Sequence, residues 1–183
     1  MSTLPAPSSL SLLSQEDQFK VLDTLFESSP ELHTLMAAVL ANQSFSSYNS
    51  LIDAVGGRLS ALSPANSPVD KDILYGILGS HPRLGRAPAA ATEYISELSK
   101  KEQANLNTGA EEQAERLKAL NAEYEDKFPG LRFVTFVNGR NRDIIMQEMR
   151  QRIDRGDTDC EIEEIIQAMC DIAKDRARKL EQA

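Results

Sequence analysis

Residues 131–137 (Leu-Arg-Phe-Val-Thr-Phe-Val) are the single stretch of this chain with strand character, and no second run offers them a partner. A lone strand is not stable by itself. The segment is therefore read as extended backbone packed among helices, with N–H and C=O groups left for a ligand. Asn138-Gly139 behind it has hairpin chemistry, but the residues that follow repeat with helical spacing, which removes the hairpin. With no sheet available, the expected fold is all-α: one bundle of about eight or nine helices with a short extended insert.

The helices are marked by apolar stripes and capping residues. Ser14 precedes Glu16-Asp17 and the face Phe19, Leu22, Leu25, Phe26. Ser29-Pro30 restarts a helix with proline in its first turn, carrying Leu32, Leu35, Met36, Val39 and Leu40. His33 falls off that stripe and is read as a surface residue. Leu51, Ile52, Val55, Leu59 and Leu62 mark the next, with Gly56-Gly57 a weak point in its middle. Ser67-Pro68 opens another. Later helices are read at 110–127, from Asn141 to near Gly156, and from Asp157-Thr158 onward with Ile162, Ile165, Ile166, Met169, Ile172 and Ala173. Residues 1–13, rich in Ser, Pro and Leu, show no clear stripe and are read as a tail that docks late; 14–183 form the helical domain.

At 183 residues the chain can bury a core without metals or disulfides. A net charge of −8 argues against nucleic acid or an anionic membrane surface as partner. No apolar run has the length of a membrane span. Cys160 and Cys170 share one helical pattern; ten residues rise roughly 15 Å, beyond the roughly 7 Å limit for a bridge. Both are expected as reduced thiols. With two histidines and no Cys-x-x-Cys, no metal site is expected.

Chemistry concentrates in Gly79-Ser80-His81-Pro82-Arg83-Leu84-Gly85-Arg86, after the helical run Ile73, Leu74, Ile77, Leu78. Gly79 is expected in the left-handed position that ends a helix. Pro82 forces His81 out of helical geometry, presenting an imidazole from a stiff bend, as acid/base chemistry requires. The same residues also suit a plain helix-ending turn. Pro88 to Ala91 form a small-residue stretch, and residues 92–95 a short helix or turn. Ser99-Lys100-Lys101-Glu102 has the form of a capping box, at a helix start suited to anionic or carbonyl-rich ligands. Arg132, Arg140 and Arg142 flank the extended segment, either as an anion cluster or as solvated charge.

In order, His81-Pro82-Arg83-Leu84-Gly85, Ser99-Lys100-Lys101-Glu102-Gln103-Ala104-Asn105-Leu106, Leu120-Asn121-Ala122-Glu123-Tyr124, Lys127-Phe128 and Ile172-Ala173-Lys174-Asp175-Arg176 resemble the 2-oxo-4-hydroxy-4-carboxy-5-ureidoimidazoline (OHCU) decarboxylase family of urate breakdown. The resemblance spans roughly residues 14 to 180. It implies a cofactor-independent, helical carboxy-lyase, usually a homodimer, that converts a small anionic ureidoimidazoline to (S)-allantoin and CO2. By resemblance His81 is the catalytic acid/base and Pro82 touches substrate beside it. Ser99, Glu102 and Gln103 hold substrate and orient the histidine; Glu102 beside His81 is expected to favour imidazolium and raise its pKa. Phe133, Val134, Thr135, Phe136 and Val137 match the extended segment that contacts substrate, and Arg176 the arginine that helps bind its anionic group.

The chain departs from the family pattern in lacking tryptophan, in its first helix, and across Lys127-Phe128-Pro129-Gly130-Leu131-Arg132-Phe133 and residues 138–142. These departures leave two alternatives open: a relative acting on another ureide, or a non-catalytic helical interaction module. The ending Glu181-Gln182-Ala183 is not a Ser-Lys-Leu-type peroxisomal address, so cytoplasm is the expected compartment, although relatives are often peroxisomal.

Overall fold

A computed structural model describes residues 4–62, 67–85, 97–104 and 111–182. Among them are eight α-helices: α1 (Gln15–Phe26), α2 (Pro30–Asn42), α3 (Tyr48–Leu62), α4 (Pro68–Leu78), α5 (Glu97–Ala104), α6 (Glu111–Lys127), α7 (Arg142–Arg155) and α8 (Thr158–Glu181). The all-α expectation holds. The caps are those the sequence signalled. Ser14, Ser29, Ser67, Asn141 and Asp157 each accept a hydrogen bond from the backbone N–H three residues on, at 3.0–3.3 Å. Each satisfies one of the donors a helix start leaves unpaired.

The N-terminal tail is docked on the domain, and part of it is helical, which the sequence did not signal. Residues Pro7–Leu12 form a 3-10 helix. Six residues at three per turn make only two turns, too few for an apolar stripe to show in the sequence. Leu10 is fully buried, and Tyr48 donates a 2.7 Å hydrogen bond to the Pro5 carbonyl. His33 is not a plain surface residue either: its ring stacks on Phe19 at 4.3 Å, with Nε2 2.5 Å from Asp23 Oδ1, bracing α1 against α2.

Helix α8 is the axis of the bundle, packed on α1 and α3, with Ile165, Met169 and Ala173 fully buried. Gly56 is what lets α3 approach it, since a Cβ there would meet Cys170 Sγ at 2.9 Å. Both cysteines are free thiols. Among the described residues no helix is long and apolar enough to cross a membrane.

Residues 131–137 are extended and pair with no strand among the described residues. Arginines bind their carbonyls instead. Arg152 donates to Val134 O at 3.1 Å, and Arg140 to Phe136 O at 2.5 Å and Val137 O at 3.2 Å. The expectation that these carbonyls await a ligand therefore fails at three positions. Arg152 is itself held by fully buried Glu161, which also accepts from Tyr124 and Arg155. The supposed anion cluster does not form: Arg140 is spent on the segment and on Glu148, Arg132 reaches the Gly79 and His81 carbonyls, and Arg142 is buried at the start of α7.

Candidate active site

The His81 turn is fixed from several directions. Helix α4 ends with Gly79 N–H donating to Tyr75 O and Ser80 N–H to Ile77 O. Gly79 is right-handed, with φ −79° and ψ −4°, not left-handed as expected. The last turn tightens to i→i+3 bonding, so the chain needs no reversal there. The left-handed residue is Gly85, φ +73°, at the far end of the turn. Between them Arg132 donates to the Gly79 and His81 carbonyls, Asn121 Nδ2 donates to Leu84 O at 3.1 Å, and Arg83 pairs with Glu125. A Cβ on Gly85 would lie 2.4 Å from Leu117 Cδ2. Gly85→Ala is thus expected to cost about 1–3 kcal/mol through backbone strain and overpacking, read as a lower urea midpoint at unchanged m-value.

His81 faces a cavity of about 250 Å³ that Pro82, Ser99, Glu102 and residues Phe133, Val134, Thr135, Phe136 and Val137 also line. One imidazole and one carboxylate from distant parts of the chain do meet in a shared space. No hydrogen bond joins them, and among the described residues the buried His81 Nε2 has no partner. Gln103 lies in α5, but its side chain is outside the described residues, as are Arg86, residues 88–91 and residues 92–95. Ser99 is the third residue of α5 rather than its cap, and its hydroxyl is used differently.

Behind the cavity wall Arg176, 1% exposed, gathers three side chains. Its Nε and Nη2 donate to the two Glu102 carboxylate oxygens, each at 2.8 Å. Nη2 also donates to Glu27 Oε1 at 2.8 Å and to Ser99 Oγ at 2.9 Å, while Ser99 in turn donates to Glu27. Nη1 lies 3.4 Å from the Thr24 and Leu25 carbonyls. Arg176 is not among the cavity-lining residues. The structure puts it one layer back, as the post on which Glu102 and Ser99 are mounted.

Glu27 escaped the sequence reading. An acidic residue just past a helix stripe looks like solvated charge. In the fold it is buried and adopts φ 72°, ψ 156°, a region that favours glycine and costs on the order of 1–3 kcal/mol for other residues. That conformation carries its carboxylate inward to Arg176 and Ser99. Burial pushes the Glu27 carboxyl up, but Arg176 and the Ser99 hydroxyl outweigh it and hold it below the usual carboxylate range. Asp175, Arg178 and Lys179 on α8 also line the cavity without having been singled out as site residues.

The expected imidazolium is overturned. Burial first, and the positive charge of Arg176 second, lower the His81 pKa to about 4, against a smaller opposite pull from Glu27. Glu102 is bound to Arg176, and the charges that act on His81 are those of Arg176 and Glu27. His81 is a neutral imidazole at physiological pH. Between about 6.5, the ordinary histidine value, and about 4, the unfolded chain binds a proton that the native protein excludes. Stability is therefore expected to fall as pH drops through that window, by at most roughly 3 kcal/mol, and His81→Asn to remove that share of the slope. Glu27, with a depressed pKa, adds its own loss only below its ordinary value of 4.5. Urea midpoints at pH 7, 5.5 and 4.5 for both proteins check this; equal slopes would refute it.

A family model described as OHCU decarboxylase matches residues 11–178 of the chain. No curated protein matches it.

Proposed function

This chain belongs to the OHCU decarboxylase family, carboxy-lyases of urate breakdown, and from that premise we propose that it converts OHCU to (S)-allantoin and CO2 with His81 as general base and then acid. The observation that carries the reading is the neutral, buried imidazole facing the same cavity as Glu102 and the extended segment.

The substrate contains its own electron sink. When the bond to the carboxylate breaks, its electron pair forms a double bond to the adjacent ring carbon, and the former C=N pair moves to nitrogen, which takes a proton from solvent. Neutral His81 accepts the proton of the ring hydroxyl and delivers it to that adjacent carbon, leaving the ring amide carbonyl and the new stereocentre of allantoin. An imidazole of low pKa is a weak base but, once protonated, a strong acid, which suits the carbon protonation. Such a positioned group contributes typically 10²–10⁴-fold. Ser99 and Glu102, fixed by Arg176 and Glu27, present an oriented hydroxyl and carboxylate to the ureido and ring N–H groups. Phe133 and Phe136 supply an apolar wall, and protonation from the His81 side alone sets the product hand.

By family resemblance the enzyme works as a homodimer, which sedimentation of the purified protein tests. The function is tested by following OHCU decay together with the circular dichroism of nascent allantoin. Accelerated decay with an (S)-allantoin signal supports the reading. Decay at the buffer rate, with racemic product, overturns it.

A further inference from the structure

We propose that Arg178 and Lys179, not Arg176, receive the substrate's carboxylate, at the cavity mouth. This rests on the decarboxylase reading above and assigns one part of that site. Each nitrogen of the Arg176 guanidinium is already engaged, by Glu102, Glu27, Ser99 or two α1 carbonyls. It is 1% exposed and does not line the cavity. An anion in the cavity needs another cation.

Helical geometry supplies one. Along α8, Ile172, Asp175 and Lys179 are three and four residues apart and share a face, with Arg178 on its edge; all four line the cavity. Arg176 is on the stripe of Met169 and Ala173, which runs into the core. Arg178 Nη2 and Lys179 Nζ each lie 2.5 Å from an Asp175 oxygen. Asp175 pairs with both cations and cancels one of their two charges, which leaves this trio with one net positive charge. Arg178 and Lys179 are 59% and 58% exposed, whereas Asp175 is 13% exposed. The cations remain solvated, with further N–H groups to offer.

The placement also suits the chemistry. A carboxylate that must leave as CO2 gains nothing from a buried bidentate clamp, which would stabilise the ground state. An exposed, half-neutralised pair at the mouth attracts the anion, turns its carboxylate outward and leaves the ring carbon toward His81. In a chain of net charge −8 such a local positive spot also offsets repulsion of an anionic substrate.

The test is the set Arg178→Gln, Lys179→Gln and the double variant, assayed with OHCU at several salt concentrations. The double variant is expected to raise KM about tenfold or more with kcat little changed, and to lose the salt dependence of kcat/KM. Inhibition by allantoin, the neutral product, should stay as in the wild type. An unchanged KM, or equal weakening for OHCU and allantoin, overturns the assignment. Binding of orotate against uracil, one ring with and without a carboxylate, separates the two readings by calorimetry. A wild-type preference for orotate that vanishes in the double variant supports the cation pair even if OHCU is not turned over. A preference that is absent, or that survives in the double variant, sinks it.

Discussion

His81→Asn lowers kcat for OHCU by about 10²–10⁴-fold, with KM little changed and the fold intact. Asparagine keeps a planar polar group of similar reach but cannot cycle a proton. The fold should tolerate it because His81 Nε2 has no partner among the described residues to lose, and its turn is held through its own carbonyl, Leu84 and Gly85. Far-UV circular dichroism and the urea midpoint at pH 7 should therefore match the wild type. The pH profile adds a check that a purely structural role would not move. With the His81 pKa lowered to about 4 by burial and by Arg176, kcat/KM of the wild type should stay level through pH 6.5 and fall only as pH approaches 4. An acid limb centred near 6.5, or wild-type turnover in the variant, removes His81 from the proposed role.

Arg176→Met is expected to be the most destabilising single change at the site. Methionine matches the length of the stem but strands Glu27, buried, and Glu102, part-buried, without their cation. Breaking a buried pair from one side costs about 3–5 kcal/mol, roughly a 10 °C loss of Tm in a chain of this size. Two further results tie that loss to the network. Adding Glu27→Gln to Arg176→Met should recover part of the stability, because it removes a stranded charge. And since Arg176 helps hold the His81 pKa down while Glu27 pulls it up, losing Arg176 should move the acid limb of kcat/KM to higher pH in whatever fraction remains folded. A Tm within a degree of wild type would contradict the geometry. Arg176→Lys should not rescue fully, since one ammonium cannot reproduce the fork that meets both Glu102 oxygens.

Much of this is legible in the amino-acid sequence. Ser14, Ser29-Pro30, Ser67-Pro68, Asn141 and Asp157 announced helix starts because capping is a contact over three residues, written locally in the chain. The 3.6-residue stripes marked which faces are buried, and the partnerless run at 131–137 excluded a sheet. His81-Pro82 announced itself because proline constrains its neighbour without help from the fold. One further signal was present and unused: Arg176 continues the stripe of Met169 and Ala173, so its burial could have been read from period alone.

What the chain determined by itself is most of what is set within about one helical turn, namely five helix starts, the buried faces and the stiffened histidine bend, and with them the all-α class; the backbone of Gly79 and the place of Ser99 in α5 are exceptions. Only the tertiary structure decided that Glu27, some 70 residues before Ser99 and 150 before Arg176, closes the charge network. It alone decided that Arg176 stands behind the wall while Arg178 and Lys179 stand at the opening, and that His81 is neutral rather than charged. The reason is physical. A pKa, or the choice between binding a ligand and bracing a neighbour, depends on desolvation and on charges brought in from remote parts of the chain, and those are properties of packing that no local pattern of residues contains.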